Sequence, residues 1–137
     1  MKLRYLLDTN ICIYIIKQKP VSVLHRFEKL IVGEVGMSTI TYGELYYGVQ
    51  KSQHHTKSLK ILEEILSLVP AFPIPTEAAK HYCEVRCKLE KSSTPIGNND
   101  LWIAAHALAL NLTLVTNNTK EFKRISHLKV ENWGELN

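Results

Sequence analysis

Three cysteines in 137 residues are too few, and odd in number, to staple a fold. Cys12, Cys83 and Cys87 stand in apolar or helical contexts, so reduced thiols in a cytoplasmic protein are expected. Cys83 and Cys87 are spaced to face one another on a helix, yet no second ligand pair accompanies them, which excludes a zinc site. No apolar run approaches the ~18 residues that a membrane span needs. The opening MKLRYLLDTNICIYII has a basic residue and an apolar stretch, but Asp8 and Asn10 interrupt it. No small-residue cleavage site follows, so it does not read as a secretory signal. Internal repeats, low-complexity runs and interdomain linkers are also absent.

What remains is ordinary globular material. Hydrophobic residues make up 45% and charged residues 22%, enough to bury a core within one domain spanning 1–137. The net charge of +4 is a modest basic excess. It suits a polyanionic partner but does not by itself require one.

Hydrophobic patterning predicts alternating strands and helices. Strands are expected at residues 3–7, 35–40, 71–74, 112–115 and 128–131. Between them, helices are expected at 11–17, 22–30, from Thr41 onward, 58–69, 76–91, 98–110 and 119–124. This alternation implies an α/β fold, a parallel sheet with helices on both faces. Thr41 and Glu44 form a Thr-x-x-Glu pattern, the signature of a capping box.

Four acids fall where a strand ends or a helix begins: Asp8, Glu44, Asp100 and Glu121. Any one of them alone has an ordinary reading. Asp8 and Asp100 could cap helices, Glu44 could close the capping box, and Glu121 could be a solvated charge beside Lys120. Together they occupy the positions that converge on the rim beyond the carboxyl ends of parallel strands. Carboxylates gathered there repel one another, so a cation must hold them. Mg²⁺ or Mn²⁺ is the natural candidate, because it takes oxygen ligands and leaves room for water and phosphate. That chemistry is metal-assisted phosphodiester hydrolysis.

The motifs carrying these acids are Leu7-Asp8-Thr9-Asn10, Ser38-Thr39-Ile40-Thr41 leading into Glu44-Leu45-Tyr46-Tyr47-Gly48, and Pro95-Ile96-Gly97-Asn98-Asn99-Asp100. Ile103-Ala104-Ala105-His106-Ala107 and Thr116-Asn117-Asn118 with Glu121-Phe122 complete the set. In order and spacing, across essentially the whole chain, it resembles the PIN-domain ribonucleases, specifically the VapC-type toxins of toxin–antitoxin pairs.

The resemblance implies a PIN-like three-layer fold, a five-stranded parallel sheet flanked by helices. It also implies Mg²⁺- or Mn²⁺-dependent cleavage of RNA by metal-activated water, leaving 5′-phosphate and 3′-hydroxyl ends. By motif, Asp8, Glu44 and Asp100 take the three principal acidic positions. The fourth departs from the commonest pattern, since Asn117 stands where many members carry Asp, and Glu121 is expected to replace that charge. Thr9, Asn10, Thr116 and Asn117 are expected to orient ligands or bound water, because hydroxyls and amides bring no charge. The resemblance further implies a homodimer, a VapB-type antitoxin, and tRNA, above all initiator tRNA, as the target, with ribosomal RNA second. Apolar residues beyond core needs, such as Ile15, Ile16 and Tyr47, mark the early helices as the antitoxin's docking surface.

Other residues invite different readings. No histidine stands beside a credible nucleophile; His106 reads as a packed, hydrogen-bonded core residue and His54-His55 as exposed. Arg86 reads as a salt-bridge partner along its helix. Lys51, Lys57 and Lys60, with Lys120, Lys123 and Arg124, are the better RNA-contacting candidates. A receiver-like phosphoacceptor is excluded, because the mid-chain Asp and the late Lys it needs at strand ends are missing. A catalytically silent RNA-binding or interaction module of the same fold is the non-enzymatic alternative, and retention of the three principal acids argues against it.

Overall fold

A computed structural model describes residues 2–134. The expected domain of 1–137 therefore includes four residues, Met1 and 135–137, that lie outside the described ones. Every expected strand and helix is present. The strands are β1 (Tyr5–Leu7), β2 (Val35–Ser38), β3 (Ala71–Phe72), β4 (Thr113–Val115) and β5 (Lys129–Glu131). The helices are α1 (Thr9–Lys17), α2 (Val21–Glu28), α3 (Thr39–Lys51), α4 (His55–Leu68), α5 (Ala78–Lys91), α6 (Asn98–Leu110) and α7 (Thr119–Phe122).

The five strands form one parallel sheet in the order β3-β2-β1-β4-β5. Tyr5 of β1 pairs with Val35 on one side and Thr113 on the other. From β1 the chain builds outward to β2 and β3, then crosses back to add β4 and β5 on the opposite edge. Connections diverge on either side of the β1–β4 pair, which opens a crevice beyond the carboxyl ends of those two strands.

Alternation along the central strands divides the core into two layers. Tyr5 and Leu7 join an apolar cluster with Ile11, Val49, Leu62 and Trp133. Leu6 points the other way, into a cluster with Leu89, Leu101, Ala104 and Phe122. β4 splits likewise, with Leu114 in the second cluster and Val115 in the first. The strands at the crevice are thus anchored on both faces. Gly36 shows how closely the neighbouring strands approach, since a Cβ there would run into the Phe72 ring.

The largest departures from expectation lie at helix starts. α3 begins at Thr39, capped by the buried Ser38 hydroxyl, which accepts from the Ile40 amide at 3.2 Å. α5 begins at Ala78 with no side-chain cap, so Thr76 does not cap it. α6 has Gly97 at its cap position, and Asn98 and Asn99 lie inside the helix.

Candidate active site

Asp8 follows β1 and caps α1, its Oδ1 accepting from the Ile11 amide at 3.0 Å. Its own amide donates to the Val115 carbonyl at 3.0 Å, tying it to the end of β4. Thr116, buried just beyond β4, donates its hydroxyl to the Asp8 carboxylate. The same hydroxyl oxygen accepts from the Asn118 amide at 2.9 Å. Asp8 is only 5% exposed. Burial pushes its carboxyl up to about 6, against the lowering effect of the Thr116 and Ile11 bonds. The charges of Asp100 and Glu44 push it the same way as burial.

Asp100 sits in the first turn of α6, where the helix end favours negative charge. Its carboxyl is nevertheless held above the usual range, first by partial burial and then by the charges of Glu121 and Glu44. Glu121, in the short helix α7, thus acts on Asp100 more strongly than Glu44 does.

Glu44 does not close the capping box that its spacing from Thr41 offered as an alternative. With α3 starting at Thr39, Thr41 lies inside the helix and is buried. The Glu44 carboxylate accepts instead from the Thr9 hydroxyl at 2.6 Å. The Thr9 and Thr41 oxygens are 3.2 Å apart, so α1 and α3 are tied together at this rim.

Asn10 and Asn117 meet across the β1–β4 crevice, the Asn10 Nδ2 donating to the Asn117 Oδ1 at 3.4 Å. Asn117 in turn donates to the Tyr14 hydroxyl at 2.7 Å. Tyr14 was not anticipated. Its spacing of four from Asn10 puts the two on one helix face, which is the signal that would have found it.

Residues expected to hold or orient the cation therefore lie along one rim, and the electrostatics link the four acids. Among the described residues none of the four takes part in an ion pair; the pairs are Arg4–Glu34, Arg26–Glu131 and Arg86–Glu90. Asp8 and Asp100, raised by burial and by neighbouring acidic charge and without an ion-pair partner among the described residues, are donors suited to a hard divalent ion. No three acidic, His or Cys side chains among the described residues already converge as a ligand group. Mg²⁺ needs no such cage, since it keeps several waters and takes one or two carboxylates.

Other polar residues separate from this rim. His106 is fully buried in α6, but neither ring nitrogen has a hydrogen-bond partner, contrary to expectation. Burial holds its pKa below the usual range. Arg86 pairs with Glu90 at 3.0 Å as expected, and also donates to the Tyr82 hydroxyl at 2.8 Å. Tyr82 stacks on Trp102 and hydrogen-bonds Asn98, bracing the start of α6. Ile15 belongs to the core, whereas Tyr47 is 63% exposed.

The PIN domain family model matches residues 5–128. The chain is 41% identical to ribonuclease VapC2 of Haemophilus influenzae over 131 residues, covering 96% of this chain and 98% of that protein. It is 41% identical over 132 residues to the tRNA(fMet)-specific endonuclease VapC of Shigella flexneri, covering 96% and 99%. In the crystal structure of VapBC2 from Rickettsia felis bound to a DNA fragment from their promoter, one chain superposes with a TM-score of 0.87. That chain is 42% identical, with 96% of this chain and 99% of that one covered.

Proposed function

The chain belongs to the PIN-domain family, and from that membership we propose an endoribonuclease toxin that cleaves tRNA and is neutralised by a VapB-type antitoxin. The single observation that carries the nuclease reading is the rim at the β1–β4 crevice, where Asp8 and Asp100 feel each other's charge or that of Glu44 and Glu121, and none of the four takes part in an ion pair among the described residues. The near-full-length match to a tRNA(fMet)-specific endonuclease supports initiator tRNA as the target.

Asp8 and Asp100 would hold Mg²⁺ or Mn²⁺, with Glu44 and Glu121 completing the negative field. When bound, such an ion activates water and neutralises charge at the scissile phosphodiester. The chain's own groups do the positioning. Thr116 and the Ile11 amide fix Asp8, Thr9 fixes Glu44, and the Asn10–Asn117–Tyr14 chain fixes the floor between β1 and β4. Exposed Lys51, Lys57 and Lys60 on one side, and Lys120, Lys123 and Arg124 on the other, supply phosphate contacts. Lys51 lies over the exposed Tyr47 ring at 5.2 Å.

No described helix is long and apolar enough to cross a membrane, in keeping with a cytoplasmic place of action. The chain acts as one PIN domain over 1–137 and pairs as a homodimer. The antitoxin covers the outer surface of the early helices, where Tyr47 is exposed, Ile16 is partly buried against the core and Ile15 lies within it. A basic side chain of the antitoxin reaches the acidic rim.

The test is incubation of the purified, antitoxin-free chain with total RNA, in Mn²⁺ or in EDTA, followed by sequencing of the cut ends. Cleavage of tRNA in Mn²⁺ alone, leaving 5′-phosphate and 3′-hydroxyl ends, is expected. Cyclic 2′,3′-phosphates would implicate the RNA's own hydroxyl and rule out hydrolysis by activated water. Undiminished cutting in EDTA would remove the metal, and no cutting in any divalent ion would leave a silent binding module.

A further inference from the structure

A cleft of about 370 Å³ opens between α5, the end of α6 and the segment leading into β5. Leu112 just before β4 and Lys129 at the start of β5 line it, so it lies toward the amino ends of the strands. The acids lie beyond the carboxyl ends, and none of the four lines this cleft. Along α6, Asp100 and Asn111 are separated by ~16 Å at ~1.5 Å per residue. This is a second, separate concavity.

Its wall carries three cations, Lys88, Lys129 and Arg124 (the last shared with the RNA-contacting side proposed above), against one acid, Glu84. None of the three belongs to an ion pair among the described residues. Lys129 donates to the Asn111 carbonyl at 3.2 Å, and Arg124 to the Pro95 carbonyl at 3.4 Å. These bonds hold the cationic heads without neutralising them. The floor is aliphatic, made by Val85, Leu89, Leu108, Leu112 and Ile125. His127 borders it with a left-handed φ of 68, a conformation uncommon outside glycine.

We propose that this cleft binds a small organic anion with an aliphatic body and a carboxylate or phosphate head. Unpaired cations attract an anionic head, and the aliphatic floor rewards an apolar body. Either feature alone would take a simpler ligand. The volume falls at the small end of the ~300–1,000 Å³ range of ligand pockets. The lining has no Phe, Tyr or Trp, its only aromatic rings being His81 and His127, and the aliphatic floor suits an apolar body better than a stacked base.

The test is an amide NMR titration of the full chain with octanoate, with 1-octanol as the body without charge and acetate as the head without body. Saturable octanoate shifts at Leu89, Asn111, Ile125 and Lys129 are expected, with affinity about tenfold or more above either control. The double variant Lys88→Glu/Lys129→Glu, altered only at exposed positions, should lose octanoate about tenfold or more while its amide spectrum stays folded. If charge reversal disturbs the spectrum, Lys88→Gln/Lys129→Gln serves in its place. Absence of saturation, equal binding of octanol or acetate, or unchanged octanoate affinity in the folded variant would each overturn the proposal. Slower RNA cleavage by the variant, with octanoate competing against RNA, would assign the cleft to the RNA strand and overturn it as well.

Discussion

The Thr9 hydroxyl donates to a Glu44 carboxylate oxygen at 2.6 Å, joining α1 to α3 across the mouth of the crevice. Two residues 35 positions apart in the chain thereby share one local geometry. Thr9→Val keeps the shape and removes the donor, while the Asp8 cap on Ile11 is untouched. A hydrogen bond worth ~0.5–1.5 kcal/mol predicts a loss of roughly threefold to tenfold in cleavage rate. The unfolding midpoint should fall by no more than about a few degrees. Single-turnover rates on tRNA, beside a thermal melt, check both halves; an unchanged rate would mean that Glu44 needs no holding.

Asp8 ties activity to stability. Its folded carboxyl titrates at about 6, above the ordinary 3.8, so between those values the folded chain binds more protons than the unfolded one. Stability from this group is therefore greatest below pH ~4 and is lost as pH rises to ~6, a loss on the order of 3 kcal/mol. Asp8→Asn keeps a capping oxygen but cannot ionise. The metal-free variant should be more stable than the parent at pH 7.5, by an amount that vanishes near pH 4. Both Asp8→Asn and Asp100→Ala should cut RNA at less than a hundredth of the parental rate, following the large effects seen when catalytic charge is removed. Urea melts at the two pH values, without divalent ions, decide the stability claim.

Glu121 acts on Asp100 ahead of Glu44, and the Asn117 amide is engaged at both ends by Asn10 and Tyr14. These contacts favour Glu121 over Asn117 as the fourth negative charge of the proposed site. Glu121→Gln should raise the Mn²⁺ concentration needed for half-maximal cleavage far more than Asn117→Ala does. Adding Asn117→Asp to Glu121→Gln should restore part of the loss. An unaltered metal requirement in Glu121→Gln would reduce the site to three acids.

His106 is buried with both nitrogens unpartnered, and a buried group in that state costs ~1–3 kcal/mol. Replacing it with Phe removes the polar atoms and nearly keeps the volume. The variant should gain about 1 kcal/mol of stability by urea melt at pH 7.5, and more at pH 5. The pH sign follows from the depressed folded pKa, because below ~6.5 the unfolded chain takes up the proton that the folded one resists. A destabilised His106→Phe would mean that ring shape outweighs the missing bonds.

Most of the fold was legible because strand and helix periodicities differ sharply and the segments are short. Helix starts were less so. Ser38, Thr39 and Thr41 are all competent caps, and the Thr-x-x-Glu pattern pointed to the last of them, whereas the first, buried at the strand end, closes the helix. The acids were legible from their places after strands and at helix starts. What holds them was not. Tyr14 reaches Asn117 over 103 positions, and such a contact exists only once β1 and β4 are neighbours. His106 could be placed in the core from its apolar helix, but the lack of partners depends on every surrounding element.

The strand order also sets a schedule for synthesis. β1 is made first and β4 nearly last, yet they lie side by side and the crevice exists only between them. A nascent chain emerging from the ribosome holds Asp8 early, with one flank of its strand bare until residues 113–115 arrive. A chain that stops before β4 carries Asp8, Glu44 and at most Asp100, and it lacks both Glu121 and the strand that closes the crevice.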